Sequence, residues 1–177
     1  TTMFGSVDDP QLYVDAFRKQ NLAFKLHIDA AYGGFVYPFS NQKSTINFTH
    51  PDISSITIDA HKMLQAPYGT GIFIGRKGLI ENVLTPEASY VEGMDLTLCG
   101  SRSGANAIAV WMILFTYGPH GWYEKVSVLQ MRTQFLCQQL DELGISYFRE
   151  PHMNIVTLSA EYIPKKLAER FCQRDYA

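Results

Sequence analysis

The chain has 177 residues, 46% of them hydrophobic and 18% charged, with a formal net charge of −2. That balance describes a chain able to bury one good core, and it gives no electrostatic reason to expect nucleic acid or an anionic membrane as partner. No apolar stretch approaches the roughly 20 residues needed to span a bilayer, and the start, "TTMFGSVDDP", resembles no signal or transit peptide.

Residues 1–7 suit a short strand and turn. "DDPQLYVDAFRKQN" predicts a helix, with Asp9 as N-cap, Pro10 at the first helical position, and Leu12, Tyr13, Ala16 and Phe17 at helical spacing. "AFKLHID" then reads as a strand ending at Asp29, followed by the loop "AAYGGFVYPF". "ISSITID" reads as a second strand, ending at Asp59, and "GTGIFIGRKG" as a third, bracketed by glycines. From Ser103 to Tyr117 the chain is helix-like and apolar on nearly every face, which predicts burial, and Gly118 and Pro119 should end that helix. A second long helix, from about Gly121 to Leu143, sets Trp122, Val126, Leu129, Thr133, Leu136, Leu140 and Leu143 at alternating spacings of four and three, with Gly144 as its stop. "ISYFRE" and "MNIVTLSA" read as strands, and "PKKLAERFCQ" starts a further helix.

Strands alternating with helices predict α/β layering around a mostly parallel sheet. The pattern changes near Gly118, so a domain boundary is expected there: residues 1–118 in a sheet domain, residues 119–177 in a linking helix and the beginning of a smaller domain. The chain opens in an apparent strand and stops inside an apparent helix, so it is expected to be part of a longer protein. Cys99, Cys137 and Cys172 are widely spaced with no CxxC pair, and His120 and His152 lack metal-ligand spacing to any other His or Cys. These read as reduced thiols of a cytoplasmic protein without a metal site.

In α/β sheets, ligand sites gather at the carboxyl ends of strands. Asp29 closes one strand, and Lys62 follows the end of the next. Small residues surround both: Ala30, Ala31, Gly33 and Gly34 after the aspartate, Gly69 and Gly71 after the lysine. If the two strands are neighbours, an amine, a carboxylate and a cleared floor meet at one rim, a set that suits pyridoxal phosphate. A lysine amine can condense with the cofactor's aldehyde, which a guanidinium cannot, and an aspartate facing the pyridine nitrogen keeps it protonated. Histidine and hydroxyl groups nearby can serve the phosphate. Each residue alone also has an ordinary reading. An aspartate at a strand end forms turns or caps helices, a lysine after a strand is a solvated loop residue, and His27 and His61 serve equally as structural groups.

The wording is more specific than the pattern. "LHIDAAYGGFVYPF" followed by "SITIDAHKMLQAPYGTGIFI", then "TLCGSRSGANAIAVW", "YGPHGW" and "PHMNIVTLS", closely resembles the group II pyridoxal-phosphate-dependent amino-acid decarboxylases, which include glutamate decarboxylases and archaeal tyrosine/aspartate decarboxylases. The resemblance spans nearly the whole chain. It implies the aspartate-aminotransferase-like fold (fold type I), with part of the large domain and the start of the small one, in a homodimer acting on an L-amino acid. Lys62 matches the lysine that bonds the cofactor, Asp29 the partner of the pyridinium nitrogen, and Ala31 the small residue against the ring. His61 matches a residue near the phosphate and the bonded aldehyde, Thr2 a threonine near the ring oxygen, and Ser101 a serine reaching the phosphate of the neighbouring subunit's cofactor. Asp59 falls where many relatives carry a Ser or Asn touching the phosphate; a carboxylate there repels a phosphate unless water or a hydroxyl intervenes. Arg102 is expected to hold its loop at the dimer interface. Two other readings are an aldehyde-lyase of the sphingosine-phosphate-lyase type, which shares the "HK…APYGT" wording, and a homologue that only binds or assembles.

Overall fold

The computed structural model describes residues 3–83 and 102–170; Thr2, Cys99, Ser101 and Cys172 lie outside them. Contacts divide the chain into two units, one of Asp9–Phe35 and Lys43–Gly118, the other of Thr1–Asp8, Val36–Gln42 and Pro119–Ala177.

In the first unit, helix α1 (Pro10–Lys19) begins as its sequence requires: Asp9 stays extended and its side chain accepts from the Gln11 N–H, while Pro10 occupies the first turn, where no N–H is needed. The face that docks is not the expected one. Val14 is fully buried, whereas Leu12 and Tyr13 are exposed, so the apolar residues at helical spacing overstate the packed stripe. Strands β1 (Leu26–Asp29), β2 (Ile53–Asp59) and β3 (Gly71–Gly75) form a sheet in the order β1-β2-β3. β1 and β2 are parallel, with Asp29 opposite Thr57, and β2 and β3 are antiparallel, with Asp59 opposite Gly71. The expected mostly parallel sheet is therefore mixed among the described residues. The physical reason is the connection: residues 60–70 are too short for the helical crossover that a parallel return requires.

Ile53, Leu64 and Val14 are the largest fully buried side chains of this unit, with Ile56 and Ala60 beside them in sequence and burial class. Arg76, in the "GRKG" turn after β3, donates to three carbonyls, Nε to Ile53 at 2.6 Å and Nη2 to Phe48 at 3.0 Å and His50 at 2.7 Å. Those bonds close the end of β2 opposite the rim where Asp59 sits. Arg18 adds a two-pronged contact to Asp52 at 2.9 and 3.0 Å, which ties α1 to the segment entering β2.

After the short helix α2 (Tyr37–Ser40), the segment Gly104–Glu142 (α3) is helical except at Gly118, whose φ of 57° and ψ of −177° lie outside the helical region; Pro119 then opens the second stretch. The sequence pattern predicts burial for residues 103–117. Instead Ile108, Trp111, Met112 and Phe115 are exposed. A helix apolar on every face needs cover on every face, and the described residues do not provide it.

In the second unit, the 119–142 stretch buries Trp122, Val126, Thr133, Cys137 and Leu140. Leu136 and Leu143, expected in that stripe, are exposed, and Cys137 takes the inward place. A straight helix advances 3.6 residues per turn, so a strict four-and-three pattern drifts off the packed face. Arg149 braces the same unit, donating from Nη2 to Gln130 Oε1 at 2.6 Å and from Nε to the Met153 carbonyl at 3.2 Å, over a fully buried Met153. The expected strands shrink to two residues each, β4 (Tyr147–Phe148) and β5 (Thr157–Leu158), paired antiparallel. No strand forms in residues 3–7, where Gly5 adopts a φ of 70° and turns the chain. The Tyr147 hydroxyl donates to Asp141 at 3.3 Å; burial, with Cys137 and Asp141 beside it, pushes its pKa up to about 12. Helix α4 (Lys165–Arg170) is the last described element.

Candidate active site

Because β1 and β2 are parallel neighbours, their carboxyl ends share one edge of the sheet. The condition under which Asp29 and Lys62 could meet at a rim is satisfied by the pairing itself. The two ends are also laced together through the backbone: Ala30 N–H donates to the Thr57 carbonyl at 2.9 Å, and Asp59 N–H to the Ala31 carbonyl at 3.1 Å. Gly34, in the loop after β1, lies so close to β2 that a Cβ there would come within 2.8 Å of the Ile58 side chain. Only glycine lets the loop lie this near the strand.

Both strands end in aspartate, and the two carboxylates do different things. Asp29 Oδ1 accepts the Ala31 N–H at 3.0 Å, the short turn expected of an aspartate at this place. That bond holds the carboxylate in one orientation, and among the described residues Oδ2 takes no hydrogen bond. Asp59 instead holds the lysine: Lys62 Nζ lies 2.8 Å from Asp59 Oδ2, with the two side chains 33% and 24% exposed. The ammonium is therefore neither buried unpaired nor free in solvent.

The loop carrying Lys62 is tied down at its base. The Thr70 carbonyl accepts from Ala60 N–H at 3.0 Å and His61 N–H at 3.4 Å, and Ala66 N–H returns to the Ala60 carbonyl at 2.9 Å. Thr70 Oγ1 donates to the Pro67 carbonyl at 2.7 Å. His61 Nδ1 reaches the same Thr70 carbonyl at 2.9 Å; a carbonyl only accepts, so Nδ1 carries the proton and Nε2 is the acceptor of the neutral ring. Gln65 and Gly69 adopt φ of 61° and 82°, which lets so short a loop close. At Gly69 and Gly71 nothing lies within 4 Å of where a Cβ would stand, so this side of the rim is open.

Sequence reasoning leaves His27 among structural groups and does not single out Ser55, Thr57 or Tyr68. His27 lies two residues before Asp29, on the same face of β1, with Nδ1 2.8 Å from Ser55 Oγ and Nε2 3.2 Å from Thr57 Oγ1, and its ring stacks on Phe73. The alternation of polar residues at 27 and 29 and at 55 and 57 is the available signal, since period two places them on one face. Tyr68 is 91% exposed, with its ring centroid 5.2 Å from that of His61. The structure thus brings Asp29, Ala31, Asp59, His61 and Lys62 to one rim. Thr2 and Ser101 lie outside the described residues.

A primary amine with its own counter-ion, a second carboxylate with a free oxygen, and open space over two glycines fit a flat, aldehyde-bearing heterocycle whose ring nitrogen is cationic. Among the described residues no cluster of His, Cys, Asp and Glu suits a metal ion, and no helix is long and apolar enough to cross a membrane.

The model of the pyridoxal-dependent decarboxylase conserved domain matches residues 1–160. A tryptophan decarboxylase from Clostridium sporogenes is 56% identical over 171 residues, which cover 97% of this chain and 41% of that protein. The chain spans less than half the length of this relative. Among solved structures, a glutamate decarboxylase from Lactobacillus brevis superposes with a TM-score of 0.73 at 24% identity, over 85% of this chain and 36% of that one. A sphingosine-1-phosphate lyase from Burkholderia pseudomallei gives a TM-score of 0.70 at 22% identity, over 84% and 36%. Decarboxylase and lyase share this fold, so these two likenesses speak to architecture alone.

Proposed function

The chain belongs to the pyridoxal-dependent decarboxylase family, and we propose that the whole protein uses pyridoxal phosphate to remove the α-carboxylate of an L-amino acid as carbon dioxide, leaving the amine. The observation that carries this reading is the rim itself, with the Lys62 amine held 2.8 Å from Asp59 beside the parallel strand that ends in Asp29. Pyridoxal phosphate, when bound, supplies the electron sink that makes loss of carbon dioxide feasible.

The chain's own residues take the following parts. Lys62 would hold the cofactor through Nζ, and Asp59, 2.8 Å from that nitrogen, would keep it positioned at the rim. Asp29, oriented by the Ala31 N–H, would offer Oδ2 to the ring nitrogen and so keep a proton there. Ala31 would lie against the ring face, where a larger side chain would fill the space. His61, with Nδ1 committed to Thr70, presents Nε2 as an acceptor near the reacting atoms. Thr2 and Ser101, which lie outside the described residues, would add cofactor contacts, Ser101 from across a homodimer. Asp59 thereby acquires a task other than touching phosphate, which removes the electrostatic difficulty of placing a carboxylate there.

We place the domain boundary near Gly118, with residues 1–118 in the late part of the large domain and residues 119–177 as linking helix and start of the small one. The change of unit at Gly118 supports this, although Thr1–Asp8 and Val36–Gln42 pack with the later unit. A cytoplasmic homodimer accords with the widely spaced thiols and with the apolar residues of 104–117 that the described residues leave exposed.

Borohydride trapping tests the proposal. Full-length protein is incubated with pyridoxal phosphate, reduced and digested, and the adduct is located by peptide mass while carbon dioxide release is followed with a panel of L-amino acids. An adduct confined to the Lys62 peptide, together with carbon dioxide and amine as products, is the expected result. An adduct elsewhere, or an aldehyde product without carbon dioxide, refutes it; the second outcome identifies a lyase.

A further inference from the structure

Strand β1 is four residues long, and its register on β2 changes within it. Leu26 pairs with Ile53 and His27 with Ser55, so Ser54 has no partner on β1. Beyond that step, the pairs His27–Ser55, Ile28–Ile56 and Asp29–Thr57 carry the register to the rim. A ladder this short specifies register weakly through its backbone bonds alone.

The His27 side chain adds what the ladder lacks. Its two ring nitrogens reach two β2 residues that stand two apart, Nδ1 to Ser55 Oγ at 2.8 Å and Nε2 to Thr57 Oγ1 at 3.2 Å. Residues two apart lie on one face of a strand, so the ring spans a full pleat. Both hydroxyls can donate or accept, so each nitrogen is satisfied in either neutral tautomer. From β3, Phe73 stands opposite Thr57 and stacks on the same ring, with centroids 6.1 Å apart and planes inclined at 16°. The ring reaches both hydroxyls only with His27 opposite Ser55. A slip of two residues in either direction removes one contact, and a slip of one turns Asp29 to the other face.

We propose that His27 is a positioning residue: by bridging Ser55 and Thr57 it pins β1 in the register that sets Asp29 opposite Thr57, at the rim where Asp59 and Lys62 lie. The inference rests on the reading of that rim as the cofactor site. Its consequence falls on Asp29, two residues further along the same strand, whose carboxylate can keep a proton on a ring nitrogen only from a fixed place. The imidazole itself takes no part in the reaction; it acts through where it holds the strand.

The test uses full-length protein with His27→Ala, His27→Asn, His27→Gln and the double variant Ser55→Ala/Thr57→Val. An asparagine amide can stand in for Nδ1 and a glutamine amide for Nε2, so each keeps one contact. The double variant keeps the imidazole and removes both of its partners. Hydrogen exchange of the peptide spanning residues 26–34, read by mass without added cofactor, reports the register through the Ala30 N–H that is bonded to the Thr57 carbonyl. With pyridoxal phosphate added, the pH midpoint of the bound cofactor's absorbance, kcat and KM are measured. His27→Ala and the double variant should both speed exchange of that peptide by about tenfold or more. Both should lower kcat by about tenfold with KM within about threefold, and move the absorbance midpoint by about half a pH unit or more. The two amide variants should fall between these and wild type, and they carry the same readouts if His27→Ala does not fold. A double variant that behaves as wild type while His27→Ala does not overturns the inference, because the imidazole then acts by itself. Unchanged exchange in His27→Ala also overturns it, as does faster exchange with kcat and the absorbance midpoint unmoved, which leaves His27 structural only. A wild-type protein that takes up no pyridoxal phosphate refutes the reading of the rim and the inference with it, a failure told apart from the others by the wild type alone.

Discussion

The carboxyl ends of β1 and β2 make an instructive pair. Each strand ends in aspartate, the two ends lie side by side, and the backbone of one loop bonds directly to the other strand. Yet Asp29 bonds its own loop two residues on and leaves one oxygen open, while Asp59 spends an oxygen on an ammonium 2.8 Å away. Residue type and strand position are the same at both ends. What separates them is the following turn. After Asp29 the chain offers small residues and a backbone N–H; after Asp59 a compact turn, in which Lys62 N–H donates to the Asp59 carbonyl at 3.2 Å, brings the lysine back over the carboxylate.

Four substitutions separate those roles, beginning with the largest effect. Lys62→Arg preserves the charge next to Asp59 but cannot condense with an aldehyde; decarboxylation should fall by more than about a thousandfold and the borohydride adduct should vanish. A variant still labelled at that peptide would move the chemistry to another nucleophile. Asp29→Asn is expected to lower kcat by about a hundredfold while leaving stability nearly unchanged, because the amide oxygen still accepts the Ala31 N–H and only the charge is lost. Denaturant unfolding and steady-state kinetics on the same preparation check this, and a variant with intact kcat would reduce Asp29 to a turn former.

Gly34→Ala addresses the seam between the two ends. Its Cβ would press to 2.8 Å from Ile58, a clash worth about 1–3 kcal/mol of stability in a denaturant titration. An unchanged midpoint would mean that the seam yields freely and does not hold the rim. Asp59→Asn should be the mildest. The pair it breaks is partly solvated, so stability should change by less than about 1 kcal/mol, and kcat should fall less than in Asp29→Asn. Should Asp59→Asn prove the more damaging of the two, the ranking of the strand ends would have to be reversed.

Much of the rim is legible in the residues alone. Asp9 and Pro10 mark the start of α1 because capping depends on a few adjacent residues. The strands ending at Asp29 and Asp59 follow from short apolar and β-branched runs, "AFKLHID" and "ISSITID", and the lysine stands out because an ammonium beside an apolar run requires a reason. The face that α1 buries, the inward place of Cys137 in α3, and the exposure of Trp111 and Phe115 are not legible. Each depends on which surface happens to lie opposite, and periodicity records only which residues could be buried.

The sequence by itself determined the local elements, the chemical character of the rim and the family wording around Lys62, since all three arise from residues close together in the chain. Tertiary structure alone decided that β1 and β2 are parallel neighbours while β3 returns antiparallel, that Asp59 and not Asp29 holds the lysine, and that Tyr68 stands clear of the loop beside His61. Those outcomes hang on register, on the length of a connection and on left-handed turns at Gln65 and Gly69. They are set by how segments meet in space, where a shift of one residue would send each strand side chain to the opposite face.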